Sequence, residues 1–458
     1  MNTNSLWSLR LGFSNKQAAA IEKEGIHQFL VHSFQSPFDK ETPCFLNESP
    51  KSFAEIRELR KSFKKTDPEA YKEYIKKEAR VSLQMKAWWI EKMMEKEFPL
   101  REKMTCFWGN HFVATFQKVK VNYWVYQLNQ ILRENAFGNF KDITKKAVKS
   151  NAMVRYLDNV DNRKDKINEN LGRELLELFT LGIGNYTEAD IKNGAKALAG
   201  LGLGENEAQY RSLFEDNDTI TFLGKTGKFK ADDIIDIIFE QKNAPYLITR
   251  KILQWFIYDS PSEELVVYYG DYFRKVDFEI KPLLTKIFEE EFKKRISGTK
   301  IKNPMEYSLQ LISELNIEIP NKAVLARFFK EQSMDLFNQP NVKGWTGGRS
   351  WLTSQIYLQR NNIADLLCSG RPLAPKLNAK RVQNRMKNNE VNLHWSKGNN
   401  KQIISQLSDR LLFDVDPSTQ KDFENILKYD FDENAVNANQ VVLRLFNEMV
   451  KLPEFQLI

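Results

Sequence analysis

The 458-residue chain is long enough for two or three domains of ordinary size, and its 42% hydrophobic and 28% charged content excludes wholesale disorder. The formal net charge of +8 favours anionic partners, but basic residues between Arg57 and Arg80 alternate with Glu58, Asp67, Glu69, Glu73 and Glu78, the pattern of a solvated helix face. Only residues 376–387 are basic without an intervening acid, weak grounds for binding nucleic acid.

In chain order, residues 15–34 read as a short amphipathic helix with Ile26, Phe29 and Leu30 apolar, followed by a proline-containing loop at 37–50. Residues 53–98 form a long charged helical tract, broken near Asp67-Pro68, that docks through Trp88-Trp89. Pro99 starts a helix whose Met104, Phe107, Trp108, His111 and Phe112 share one arc, with His111 near its centre. Helices follow at 123–134 and 140–149, then a polar loop at 153–170.

Residues 168–204 read as helix, glycine turn, helix. Leu171, Leu175, Leu178 and Phe179 fall on one arc, with Asn170, Arg173 and Glu177 opposite and Glu174 at the edge of the buried face. Gly182 and Gly184 stop that helix, and Thr187 with Asp190 caps the next. Residues 219–229 alternate in the form of a β-hairpin or an ordered loop, and four amphipathic helices follow from Asp232. A loop at 336–352 combines two tryptophans with a glycine cluster.

Standard chemistry templates fail. Gly224-Lys225-Thr226 resembles the tail of a phosphate loop, but Ile220 stands where the first glycine is required, and Gly200, Gly202 and Gly204 miss the dinucleotide spacing. No GxSxG, HExxH or paired CxxC occurs, and only four histidines are present. Nucleotide cofactors are therefore not indicated, and a divalent metal has only a generic basis. Cys44, Cys106 and Cys368 are odd in number and far apart, which argues against a disulfide framework. With no apolar leader and no apolar window of about 18 residues, the expectation is a soluble, cytoplasmic protein without a membrane span, export being the alternative.

Two constellations survive. His111 with Glu174, and with Glu177 or Glu169, would build an acid–base or metal site between helices; the structural alternative is a buried histidine held by a glutamate, with Glu169 and Glu177 in ion pairs to Arg173. Trp345, Arg349, Trp351 and Asn341 would line a carbohydrate or glycan-sulfate pocket, the alternative being a loop folded back as a plug.

Five blocks carry a resemblance: REKMTCFWGNHF, AFGNF, YLDN with NENLGRELLELFTLGIGNYTEADI, TFLGKTGKF, and LFNQPNVKGWTGGRSW. In this order they resemble the bacterial "domain of unknown function 1800" family, from Leu9 to Leu367, and the closing LPEFQLI is similar to how such chains end. The resemblance implies a helical fold and a sulfatase-like partner encoded nearby, with many relatives exported. Where relatives often carry His before the TFLGKTG-like block this chain has Glu215-Asp216-Asn217-Asp218, and where they carry His-Pro it has Lys242-Asn243. His111 is the family-type histidine retained.

The expected architecture is mainly α, a multi-helix bundle or array with at most one short hairpin, divided as 1–98, 99–366 and 367–458. The leading expectation is an accessory protein that binds a polysaccharide or a sulfatase-like partner. A metal-assisted or acid–base enzyme at His111 and Glu174 is the alternative.

Overall fold

A computed structural model describes residues 1–66, 68–95, 97–373, 389–428 and 431–458. Asp67 and the basic run 376–387 lie outside the described residues. The chain is mainly α, with two antiparallel ladders of two strands each among the described residues. No described helix is long and apolar enough to cross a membrane.

The Leu100–His111 helix is the hub. Its apolar arc is buried as its spacing requires, and so is its opposite side, where Lys103 is fully enclosed. The Lys103 ammonium donates to the carbonyls of Leu9 (2.6 Å) and Gly12 (2.7 Å) and pairs with Glu306 at 2.8 Å. One cation thus ties the hub to the chain's first helix, Thr3–Leu11, and to the Pro304–Glu314 helix. On the flank facing the charged arm, Glu102 accepts from Arg133 and from the Trp89 indole at 3.0 Å. The charged tract is two helices, Phe53–Thr66 and Pro68–Glu95, and Trp89 docks its second half; Trp88 is half-buried beside it.

Three local readings change. Thr3–Leu11 is a helix that no polar/apolar alternation announces, because Leu6, Trp7, Leu9, Arg10 and Leu11 are all buried. The expected polar loop at 153–170 begins as a helix, Asn151–Tyr156, capped by the Ser150 side chain accepting from Met153 N–H. Beyond the Glu188–Ala197 helix, Gly200 takes φ 82°, and Leu201–Gly202 pairs with Gln209–Tyr210, a ladder additional to the expected hairpin. That hairpin itself forms, Ile220–Phe222 with Lys225–Gly227, around Leu223 and Gly224 at positive φ.

Residues of all three expected segments share one hydrophobic cluster from Leu6 to Ile458. The C-terminal residues join it by pairing: Lys300 N–H donates to the Ile458 carbonyl at 3.0 Å, and Arg360 bridges the Lys302 carbonyl (2.9 Å) to Gln456 (3.0 Å).

Candidate functional site

The helix beginning at Asn170 runs as α-helix to Glu174 and as π-helix over Leu175–Thr180. The wider turn admits an extra residue, so Leu176 joins Leu171, Leu175 and Phe179 in the core while Leu178 is only half-buried. Thr180 Oγ donates to the Leu175 carbonyl at 2.6 Å, and Gly182 and Gly184, at φ 85° and 88°, end the element as expected. The last carbonyls of a helix lack partners within it. Here Phe179 and Leu178 offer theirs to the interior, where two side chains meet them.

His111 Nε2 lies 3.0 Å from the Phe179 carbonyl, and Lys251 Nζ lies 2.9 Å from the Leu178 carbonyl and 3.2 Å from His111 Nδ1. A carbonyl only accepts, so Nε2 carries the proton and Nδ1 presents its lone pair to the lysine. Burial, and secondarily the Lys251 charge, hold the imidazole well below its ordinary pKa despite the Phe179 bond. Burial also pushes Lys251 down to about 8. Heteronuclear NMR at pH 6 is therefore expected to show His111 as the neutral Nε2–H tautomer; an imidazolium signature would contradict this arrangement.

The expected carboxylate partner of His111 is replaced by backbone. Glu174 sits half-buried at the margin of the helix, and its carboxyl is raised by burial and by Glu177, with Lys343 and Arg173 acting the other way. Glu177 accepts from the Tyr186 hydroxyl at 3.3 Å. Arg173 pairs with Glu169 at 3.1 Å and with Glu188 at 3.0 Å. No group of three or more His, Cys, Asp and Glu side chains capable of holding a metal occurs among the described residues. Glu174→Gln is expected to leave stability within about 0.5 kcal/mol of the parent, as for most substitutions outside a buried network; urea denaturation measures it.

His111 and Lys251 line a cavity of about 410 Å³ whose other side is the tryptophan–glycine loop. Trp345, Trp351 and Asn341 line it; Arg349 is exposed and does not. The loop is pinned to the end of the hub helix: Asn110 Oδ1 accepts from Trp345 N–H at 2.7 Å, and Gln339 donates to the Gly109 carbonyl at 2.8 Å. Gly344 is required at this junction. Its φ is +84°, and a Cβ would lie 2.4 Å from Asn110 Oδ1 and 2.5 Å from the Asn110 carbonyl oxygen. Gly344→Ala is expected to cost about 1–3 kcal/mol through positive-φ strain and the clash, read as an earlier denaturation midpoint.

Trp255 and Phe107 complete the apolar wall, their rings edge to face at 6.2 Å. Trp255 and Trp345 are 7% and 5% exposed, and neither indole nitrogen has a hydrogen-bond partner. Lys251, Lys300 and Lys343 bring positive charge against the single carboxylate of Asp259. Asp259 is raised by burial, offset in part by the Ile301 N–H it accepts at 3.0 Å and by Lys300. Lys300 is neutralised behind the wall by Glu306 at 2.6 Å. The sequence reading missed Lys251, although it interrupts the apolar stripe of Ile248, Ile252 and Trp255 on the Ala244–Phe256 helix, which was the available signal.

The fold and cavity define a helical protein with an aromatic, amine-lined pocket walled on one side by a glycine loop. A family model described as "Protein of unknown function (DUF1800)" matches residues 5–457. The chain belongs to that family. No match was found among curated proteins or solved structures.

Proposed function

We propose that this is an accessory binding protein whose cavity takes an acidic saccharide, one carrying sulfate or carboxylate groups. The observation that carries this reading is the meeting in one cavity of three tryptophans, Trp255, Trp345 and Trp351, with the Lys251 ammonium, which has no described carboxylate within ion-pair distance. Tryptophan faces stack on sugar rings, and ammonium groups select the anion. The cavity volume of about 410 Å³ suits one or two sugar units. A sulfatase-like partner, which the family resemblance implies, would act on the same class of sulfate ester.

The rival, a metal-assisted or acid–base enzyme at His111 and Glu174, has less support because both His111 nitrogens are engaged by Phe179 and Lys251. A panel of immobilised saccharides tests the reading: retention on sulfated or uronic-acid members over neutral ones is expected. Equal retention on neutral sugars, or none on any, would remove it. A stoichiometric metal whose chelation lowers the melting temperature would instead favour the rival.

A further inference from the structure

Buried lysines elsewhere among the described residues are mostly paired with carboxylates: Lys86 with Asp335, and Lys103 and Lys300 with Glu306. Lys302 is unpaired but wholly enclosed, donating to the Phe455 carbonyl. Lys251 combines the two conditions a nucleophilic amine needs. It opens onto a cavity, and no described carboxylate lies within ion-pair distance of it. Its partners, the Leu178 carbonyl and His111 Nδ1, are uncharged acceptors. They hold two N–H groups and leave the third position of the nitrogen, the lone pair of the free amine, outside both bonds. Because Nε2–H of His111 is committed to Phe179, Nδ1 stays an acceptor and does not compete as a second cation.

We propose that Lys251 is a covalent capture site, its amine forming an imine with the aldehyde of an anionic ligand held in the cavity. This rests on the acidic-saccharide reading and names the reacting group, the open-chain aldehyde of a reducing end. Nζ first loses a proton to water in the cavity. Its lone pair then attacks the carbonyl carbon, the C–N bond forms, and the π electrons move to oxygen, which takes a proton from nitrogen to give the carbinolamine. The proton first given to water returns to that hydroxyl, which leaves as water while the nitrogen lone pair forms the C=N bond of a protonated imine; amine and aldehyde are consumed and one water is released, with no oxidant or reductant. A protonated imine keeps one N–H for the Leu178 or His111 acceptor. Burial, which brings Lys251 down to about 8, leaves on the order of one-tenth of it as free amine at pH 7, against well under one-thousandth for an ordinary lysine.

The test treats the full chain with glyoxylate, a small anionic aldehyde, and sodium cyanoborohydride, then maps modified lysines by peptide mass spectrometry. Lys251 is expected to be modified at least tenfold faster than any exposed lysine at pH 7, its free-amine fraction being on the order of a hundredfold larger. Its rate should rise with pH and level off above about 8. Lys251→Arg, which keeps the charge, should remove that fast site alone. Modification of Lys251 no faster than of exposed lysines would overturn the capture. A second arm adds a sulfated tetrasaccharide with a blocked reducing end: protection of Lys251 supports both readings. Calorimetric binding of that saccharide without fast labelling would overturn the capture and leave the saccharide reading standing. Fast labelling with neither binding nor protection would support the amine chemistry and remove the saccharide reading.

Discussion

Glu306→Gln is expected to destabilise the protein by about 3–5 kcal/mol, the cost of removing one partner from a buried ion network. Glu306 is fully enclosed, with Lys300 at 2.6 Å and Lys103 at 2.8 Å, and it also caps its own helix, accepting from Asn303 N–H at 2.9 Å. Glutamine keeps the size and loses the charge, so two buried ammonium groups are left without a counter-ion. Because Lys103 fastens the Thr3–Leu11 helix and Lys300 lines the cavity, the loss spreads from the hub to the site floor. Burial pushes the Glu306 carboxyl up, but the two lysines outweigh it and hold it at about 2 against an ordinary 4.5. A depressed carboxyl stabilises the fold fully above its unfolded value. That contribution is therefore present above pH 4.5 and is lost as pH falls toward 2. Urea denaturation at pH 7 and at pH 3 reads both effects. A change under about 1 kcal/mol at pH 7 would mean that the network is not the tie it is argued to be.

Trp345→Ala is expected to lower affinity for a sulfated saccharide by roughly tenfold to a hundredfold, the range for a buried tryptophan at the centre of a binding site. Trp345 is 5% exposed, so the alanine variant also loses packing, by about 3–5 kcal/mol if the site does not collapse. Trp345→Phe separates the two effects. It keeps an aromatic face in the wall and deletes the unpartnered indole N–H. Its expected affinity loss is smaller than alanine's, about twofold to fivefold, because a smaller ring face still stacks, with a smaller change in denaturation midpoint than alanine gives. An alanine variant that folds and binds with unchanged affinity would exclude Trp345 from the contact.

How much of this was written in the sequence depends on the kind of signal. The His111 arc, the capping pair Thr187 and Asp190, and the stops at Gly182 and Gly184 are local: they follow from 3.6-residue spacing, a reciprocal side-chain bond and positive φ, and each is found where expected. The family relationship was legible as well, since its blocks are contiguous stretches of sequence, and the family model matches residues 5–457. What could not be read locally was pairing between elements. His111 is met by the Phe179 carbonyl, and backbone atoms carry no residue-type signal in a sequence. The π-turn at Leu175–Thr180 changes the phase of the wheel, so Leu178 and Leu176 exchange roles relative to a regular helix. The Thr3–Leu11 helix escaped because burial on all sides erases amphipathicity. Lys251 escaped because a lysine in an apolar stripe ordinarily extends its head to solvent.

The cavity joins two constellations that looked separate, the central histidine and the tryptophan–glycine loop, because the hub helix ends where both are anchored: His111 on its last turn and Asn110 beneath Trp345. Gly344 allows that approach, and the end of the Asn170 helix supplies the carbonyls behind it.

Calorimetric titration of the full chain with a sulfated tetrasaccharide and its desulfated counterpart, at low and high salt, reads whether the cavity selects its ligand by charge. The sulfated form is expected to bind one per chain, at least tenfold more tightly than the desulfated form, with an advantage that shrinks as salt screens the lysines. Equal affinity for the two forms, or an advantage indifferent to salt, would contradict a cavity that selects its ligand by charge.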